Sequence, residues 1–233
     1  MYSWDFARTK NTASLDEIET KVNGVLQKLH ALSIGSGLGN DAYMSQSVAR
    51  AIRHAKKLGL PMVLDADSLA IVSSEPDLIH GYKQAVLTPN AVEFSRMCKS
   101  LGLDIGDSVE AVRAAARALG GVTIIKKGSK DIISDGNKVF VCEEESGLRR
   151  CGGQGDILSG AIATFMAWGQ LYLQNVWDHH GLNTAEEIPM LAAFAGSMLT
   201  KAASNITYKA CGRSTQTSDI LKHLPKAFDA MFS

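Results

Sequence analysis

The spacing of hydrophobic residues changes repeatedly along this chain between the periods of helices and strands. Over residues 14–29 apolar positions recur every three or four residues, which predicts an amphipathic helix with Ser14 as N-cap and Glu17 three residues later. The run ALSIGSGLG that follows (31–39) predicts a short strand ending in a glycine-rich turn. Residues 41–59 return to helical spacing, and Gly59 closes that helix.

The same alternation continues through the rest of the sequence. Strands are predicted in LPMVLDAD (60–67) and QAVLTPN (84–90), and helices in 91–102 and 108–120. Three short β-rich runs follow over 121–144, the last two joined by a hairpin turn at Asp135-Gly136. Helical patterns then cover 156–169, 185–204 and 217–231. Continuous apolar strands that alternate with helices predict one α/β domain with a mostly parallel sheet and an antiparallel edge.

Composition narrows the classes of function. The chain has 233 residues with 24 basic and 24 acidic side chains, so its overall charge gives no support for nucleic-acid or membrane-surface binding. No apolar run approaches the ~20 residues that span a bilayer. The four cysteines form no CxxC pair, which favours reduced thiols over a disulfide frame or a zinc site. We therefore expect a cytoplasmic protein without nucleic-acid or membrane partners, and leave a mitochondrial form and a homo-oligomer open.

The stretch GLRRCGGQGDILSG (147–160) places flexible glycines and a carboxylate at the start of an apolar helix. Glycines let successive amides point one way, and a helix N-terminus carries partial positive charge, so GGQG predicts an anion cradle. Asp156 in the first turn is suited to taking a proton from a hydroxyl that attacks a bound phosphate. The alternative is that Asp156 only caps the helix. No Lys-Ser/Thr follows the glycines, so this is not a Walker A motif.

Several other turns follow predicted strands, and ligands of open parallel sheets bind outside the carboxyl ends of strands. GSGLG (35–39) has Asn40 where a dinucleotide fingerprint needs glycine, and it is interpreted as a strand-to-helix turn that needs positive φ, with a close backbone approach to a ligand left open. Asp65 and Asp67 suit magnesium contact, or Asp67 caps the next helix. Lys126 and Lys127 suit a nucleotide phosphate, or they form a solvated turn before a hairpin. These turns should converge on one crevice.

Taken together, six stretches resemble the ATP- or ADP-dependent NAD(P)H-hydrate dehydratases of the ribokinase-like superfamily. They are GSGLG, where the family has GPGLG, followed by VLDADSL, LTPNAVEFSRM, KGSKDIISDG, GLRRCGGQGDILSG and CGRSTQTSDI. They occur in the family's order over residues ~30 to 220. The sequences LTPNAVEF and RRCGGQGD within them are closer to those of the eukaryotic, ATP-using branch. The resemblance implies a three-layer α/β/α ribokinase-like fold. It also implies a carbon–oxygen lyase that phosphorylates the hydroxyl of hydrated NADH or NADPH and then eliminates phosphate, with ATP as co-substrate and Mg²⁺ bridging its phosphates.

The resemblance also implies the site residues. Asp156 would be the catalytic base, and Glu93 a candidate contact for magnesium unless it caps its own helix. The hydrated nicotinamide nucleotide would meet Gly37, Asn90, Ala91, Val92, Glu93, Phe94, Ser95, Arg96 and Asp156. ATP would meet Lys127, Gly128, Ser129, Lys130, Asp131, Ser146, Gly147, Leu148, Arg149, Arg150, Cys151, Gly152, Gly153, Gln154 and Gly155.

Two features depart from the family pattern. Ser36 stands where the family has proline, and the expectation is a looser turn. About thirty residues precede ALSIGSGLG, so residues 1–233 are interpreted as one family domain that is shortened at its N-terminus. Two other readings stay open. One is a kinase of the same superfamily acting on a small vitamin-precursor alcohol, and the other is a shortened nucleotide-binding form without activity.

Overall fold

A six-stranded sheet forms the centre of the computed structural model, which describes residues 14–39, 41–104, 106, 108–177 and 184–232. The strands lie side by side in chain order: β1 Leu32–Ile34, β2 Met62–Leu64, β3 Ala85–Leu87, β4 Thr123–Lys126, β5 Asp131–Ser134 and β6 Val139–Cys142. β1 to β4 pair in parallel, and β5 and β6 pair antiparallel. The predicted parallel sheet with an antiparallel edge is confirmed.

Eight α-helices accompany the sheet in the described part of the chain. They are α1 Leu15–Leu26, α2 Ala42–Lys57, α3 Asp67–Ser74, α4 Ala91–Ser100, α5 Val109–Ala118, α6 Gln154–Leu173, α7 Ile188–Cys211 and α8 Thr217–Phe232. The predicted capping box of α1 is present, because Ser14 accepts from the amide of Glu17 and Glu17 accepts from the amide of Ser14. α6 begins two residues before its predicted start, and α7 continues to Cys211 instead of ending at 204.

The helices cover the two faces of the sheet as separate layers. Side chains of a strand alternate between faces, so Met62 and Leu64 of β2 pack with residues of α1 to α5 in one core. Val63 lies between them and packs on the opposite face with α6 and α7 in a second core. A third cluster joins α6, α7 and α8. This is the expected three-layer α/β/α arrangement.

Both layers fix the carboxyl ends of β1 to β4 at one edge of the sheet. The middle strands β2, β3 and β4 are buried along their whole length, so the turns that follow them start from a rigid base. In the part of the chain that the structure describes, no helix is long and apolar enough to cross a membrane.

Candidate active site

The turns after β1 to β4 contact one another at the carboxyl edge of the sheet. The amide of Gly39 donates to Asp67 Oδ2 at 2.9 Å, which joins the turns after β1 and β2. The amide of Lys127 donates to the carbonyl of Pro89 at 2.9 Å, which joins the turns after β4 and β3. Asp67 lies inside α3 without capping it, so its expected capping role is replaced by this contact. The predicted convergence is present.

The glycine-rich stretch ends at the N-terminus of α6. Gly153 is the N-cap residue, with φ of 89°, and no side chain of the described residues caps the helix. A Cβ on Gly153 would lie 3.1 Å from Thr217 Cγ2, and the Thr217 hydroxyl donates to the carbonyl of Gly152. The start of α8 therefore holds this turn in place while the first amides of α6 have no side-chain acceptor. That is the arrangement of an anion site.

Asp156 is the third residue of α6 and is exposed. Because Gly153 is the N-cap, the alternative that Asp156 caps the helix is wrong. Its carboxylate instead accepts a hydrogen bond at Oδ1 from the hydroxyl of Ser36, in the turn after β1. The carboxylate thus lies between the crevice and the β1 turn, where it can accept a proton from a bound hydroxyl.

An ion pair between a half-buried lysine and a buried aspartate lies directly against the start of α6. Lys127 Nζ donates to Asp65 Oδ1 at 2.8 Å, and the two side chains are 22% and 5% exposed. A Cβ on Gly155 would lie 3.2 Å from Asp65 Oδ2 and 3.7 Å from Lys127 Nζ. Glycine at 155 therefore lets the helix start approach the cation. An anion at this end of α6 would meet both the helix amides and Lys127.

The reading of Lys126 and Lys127 as a solvated turn is therefore wrong. Lys126 is buried at the end of β4, with Nζ 5.9 Å from the centre of the Phe94 ring. The charge of Lys126 also acts on the nearby thiol of Cys98. Burial raises the pKa of Cys98 above its ordinary value, and Lys126 partly opposes that rise.

The loop after β4 is closed by its own aspartate. The amide of Gly128 donates to Asp131 Oδ1 at 2.8 Å, and Asp131 is buried. Lys130 is exposed and pairs with Glu143 at 2.5 Å. Of the ATP residues predicted here, Asp131 thus has its carboxylate directed into the protein, where it shapes the loop.

The predicted substrate run 90–96 forms the start of α4. Asn90 accepts from the amides of Val92 and Glu93, and Glu93 Oε2 accepts from the amide of Asn90 at 2.7 Å, which is a capping box. Ala91, Val92, Ser95 and Arg96 are exposed. Phe94 is 2% exposed and packs in the core, so its side chain does not face the crevice.

The helix-capping alternative for Glu93 is what the structure shows, and a magnesium contact by Glu93 stays a prediction. The described residues contain no group of three or more His, Cys, Asp or Glu that could hold a metal ion. Of the two other candidates, Asp65 is neutralised by Lys127, and Asp67 accepts a hydrogen bond from the amide of Gly39. The residues fit a phosphate group that brings its own Mg²⁺ better than a resident metal centre.

The remaining predicted ATP segment, 146–155, runs over α7 toward α6. Leu148 is 85% exposed, and Arg149 and Arg150 are also exposed. Cys151 Sγ donates to the carbonyl of Thr215 at 3.2 Å, and the Gln154 side-chain amide donates to the carbonyl of Arg149. The segment is therefore held by hydrogen bonds at Cys151 and Gln154, while residues 148–150 are exposed to solvent. Gly37, in the β1 turn, has space around it, since a Cβ there would meet no atom of the described residues within 4 Å.

Comparison with known proteins places this site in a family. The sequence profile of the NAD(P)H-hydrate dehydratases matches residues 7–226. The chain belongs to the NAD(P)H-hydrate dehydratase family. It is 42% identical to the ATP-dependent (S)-NAD(P)H-hydrate dehydratase of Schizosaccharomyces pombe, over 97% of this chain and 70% of that protein. The human protein of the same name is 41% identical over 89% of this chain and 59% of its own length.

Solved structures agree on the fold. The ADP/ATP-dependent NAD(P)H-hydrate dehydratase of Bacillus subtilis, co-crystallised with ATP and Mg²⁺, matches with a TM-score of 0.62 at 23% identity, over 86% of this chain and 64% of that chain. A ribokinase-like protein of Enterococcus faecalis matches with a TM-score of 0.70 at 21% identity, over 94% and 69%. The hydroxyethylthiazole kinase of Pyrococcus horikoshii reaches 0.68 at 20%, over 91% and 76%. The expected ribokinase-like fold is confirmed.

Proposed function

We propose that this chain is an ATP-dependent NAD(P)H-hydrate dehydratase, a carbon–oxygen lyase that returns hydrated NADH and NADPH to the intact coenzymes. The observation that carries the proposal is the start of α6, where an uncapped helix terminus, Lys127 and the exposed carboxylate of Asp156 meet. The family membership supports the choice of substrate.

The first step is a phosphoryl transfer. The hydroxyl oxygen of the hydrated nicotinamide ring attacks the γ-phosphorus of ATP, its proton passes to Asp156, and the bond between the γ-phosphorus and the bridging oxygen breaks to leave ADP. The amides of the 152–155 turn and the ammonium of Lys127 stabilise the charge on the transferred group. Mg²⁺, carried in with ATP, neutralises part of the phosphate charge.

The second step is an elimination from the phosphorylated ring. The lone pair of the ring nitrogen expels phosphate as the carbon–oxygen bond breaks, and a proton then passes from the adjacent ring carbon to the departing phosphate, which restores the conjugated dihydropyridine. Phosphate leaves far more readily than hydroxide, so ATP converts a poor leaving group into a good one. The products are NADH or NADPH, ADP, phosphate and the proton that Asp156 accepted.

We further propose a compartment and partners for this reaction. Cys98, Cys142, Cys151 and Cys211 are all free thiols, which supports a cytoplasmic protein. The partners we propose are two small molecules, the hydrated coenzyme and ATP with its Mg²⁺, and no macromolecule is required for the chemistry.

A direct assay separates this proposal from the two other readings. The protein is mixed with ATP, Mg²⁺ and hydrated NADH, and both the return of dihydronicotinamide absorbance and the release of ADP are followed. We expect one ADP for each NADH restored, and no reaction without ATP. Phosphorylation of a vitamin-precursor alcohol with no action on hydrated NADH would instead indicate a kinase. ATP binding without either reaction would indicate an inactive form.

A further inference from the structure

α7 carries a line of polar residues on one face. Ser197, Lys201, Ser204 and Tyr208 follow one another at intervals of four, three and four residues, which places them on the same side of the helix. The first three are buried. This polar stripe, as we call these four residues, contacts the two segments that the family resemblance assigns to ATP, 127–131 and 146–155.

Lys201 contacts the backbone of the first segment, 127–131, from the side that packs on α7. Its ammonium donates to the carbonyl of Ser129 at 2.8 Å and to that of Gly128 at 3.3 Å. It also lies 3.6 Å from Asp131 Oδ1, while the Ser197 hydroxyl donates to Asp131 Oδ2 at 2.7 Å. These contacts direct two carbonyls and a carboxylate of the loop inward. Carbonyl and carboxylate oxygens repel phosphate, so the face that the loop offers to a nucleotide is freed of them.

The same stripe fixes the second segment. A Cβ on Gly147 would lie 2.6 Å from the carbonyl oxygen of Ser204 and 2.7 Å from Tyr208 Cβ, so glycine alone lets the backbone lie flat on α7. Ser204 Oγ is buried there and has no hydrogen-bond partner among the described residues. One helix thus sets the distance between the two segments.

Stability alone does not account for a lysine at this place. Lys201 is 6% exposed, and a buried ion pair is often no more stabilising than apolar residues of similar volume. A charge that contacts two carbonyls and a carboxylate does impose one geometry on the loop.

We infer that Lys201 is a positioning residue for ATP: it holds the 128–131 loop in the conformation that accepts the nucleotide phosphates, without touching them. The inference rests on the proposed function, since it presumes that this loop meets ATP. Its test is therefore a binding measurement that does not need the reaction to occur.

The test compares Lys201→Met with Lys209→Met, an exposed lysine on the same helix. The probe is the Mg²⁺ complex of β,γ-imido-ATP, titrated calorimetrically, with KM for hydrated NADH measured in parallel. We expect the Kd of the probe to rise about tenfold or more in Lys201→Met, the size of a lost hydrogen bond to a charged group. KM for hydrated NADH should change by less than about twofold, because the predicted substrate run 90–96 and its capping box are left intact. Lys209→Met should match the wild type.

A folded Lys201→Met that binds the probe as the wild type does would overturn the inference, and so would an equal rise in KM for hydrated NADH. If Lys201→Met shows no cooperative unfolding transition, Ser197→Ala decides: we expect a rise in Kd of about fivefold from the lost bond to Asp131, and an unchanged Kd rejects the inference. A wild type that binds no probe also rejects it. If the wild type binds the probe but restores no NADH, the proposed function is rejected. The inference about Lys201 is then decided by the Kd values of the variants alone.

Discussion

The hydroxyl of Ser36 donates a hydrogen bond to the carboxylate of Asp156, across 120 residues of sequence. The contact joins the turn after β1 to the first turn of α6, the two sides of the crevice. It fixes one oxygen of the proposed base and leaves the other for the substrate hydroxyl. Serine at this position therefore does more than loosen a turn, which was the interpretation from sequence.

Ser36→Ala removes that hydrogen bond while keeping a small side chain. We expect kcat for hydrated NADH to fall about tenfold, because a freely rotating carboxylate is less often in position to accept the proton. KM for ATP should stay within about twofold. Ser36→Thr keeps the hydroxyl and should retain most of the wild-type kcat. If Ser36→Ala turns over at the wild-type rate, Ser36 does not orient the base.

Gly35 is the tightest point of the β1 turn. Its φ is +143°, and a Cβ there would lie 1.6 Å from the carbonyl oxygen of Asp65. We expect Gly35→Ala to lower the free energy of unfolding by about 3 kcal/mol or more, because the backbone of two adjacent strand ends must separate. Gly59→Ala is the control, since Gly59 also has a positive φ but open space around it. It should cost about 1 to 2 kcal/mol. Urea unfolding gives both values, and equal losses would contradict the steric argument.

Lys127→Met leaves the buried carboxylate of Asp65 without its partner. We expect a loss of about 2 to 3 kcal/mol in the free energy of unfolding, near the lower end for broken buried pairs because Lys127 is 22% exposed. Lys130→Met breaks an exposed pair with Glu143 and should cost less than about 1 kcal/mol. Urea unfolding of the two variants checks the difference. A double variant with Asp65→Asn should recover part of the loss, and a failure to recover would mean that the unpaired charge is not its cause.

Alkaline pH should destabilise the protein through Tyr82. Its hydroxyl donates to the carbonyl of Leu60 at 2.9 Å, and burial raises the pKa of Tyr82 from 10.0 to about 12. Because the folded pKa lies above the unfolded one, the contribution to stability is complete below pH 10 and is lost as pH rises toward about 12. Tyr82→Phe should flatten this part of the stability curve. The free energy of unfolding of both proteins is measured from about pH 9 to about pH 12, the range that spans the ordinary and the raised pKa of Tyr82. Parallel curves would exclude Tyr82 as the source.

Local patterns predicted most of the fold. The alternation of periods indicated the strands, the capping box of Ser14 and Glu17 marked a helix start, and Asp135-Gly136 marked the turn between β5 and β6. Each of these depends on residues close in sequence, which is why a pattern can show them. The rule that ligands bind at the carboxyl ends of parallel strands then predicted that the turns converge.

The finer geometry of the site depends on contacts between distant residues. Nothing near Ser36 in sequence indicates Asp156 as its partner, and nothing near Lys201 indicates that its ammonium contacts the 128–131 loop. The position of Phe94 in the core follows from how α4 rotates against the sheet. The sequence contained one signal of this geometry, which is the helical spacing of the polar residues Ser197, Lys201 and Ser204 within an otherwise apolar helix.

Asp156→Asn tests whether Asp156 takes the proton of the substrate hydroxyl. Asp156→Asn keeps the size of the side chain and an oxygen that can accept from Ser36, but it removes the base. We predict that kcat for ATP-dependent restoration of hydrated NADH falls about a hundredfold or more, with binding of Mg²⁺ and β,γ-imido-ATP unchanged. Asp229→Asn, at an exposed position on α8, should retain wild-type turnover. Full turnover by Asp156→Asn would contradict the account.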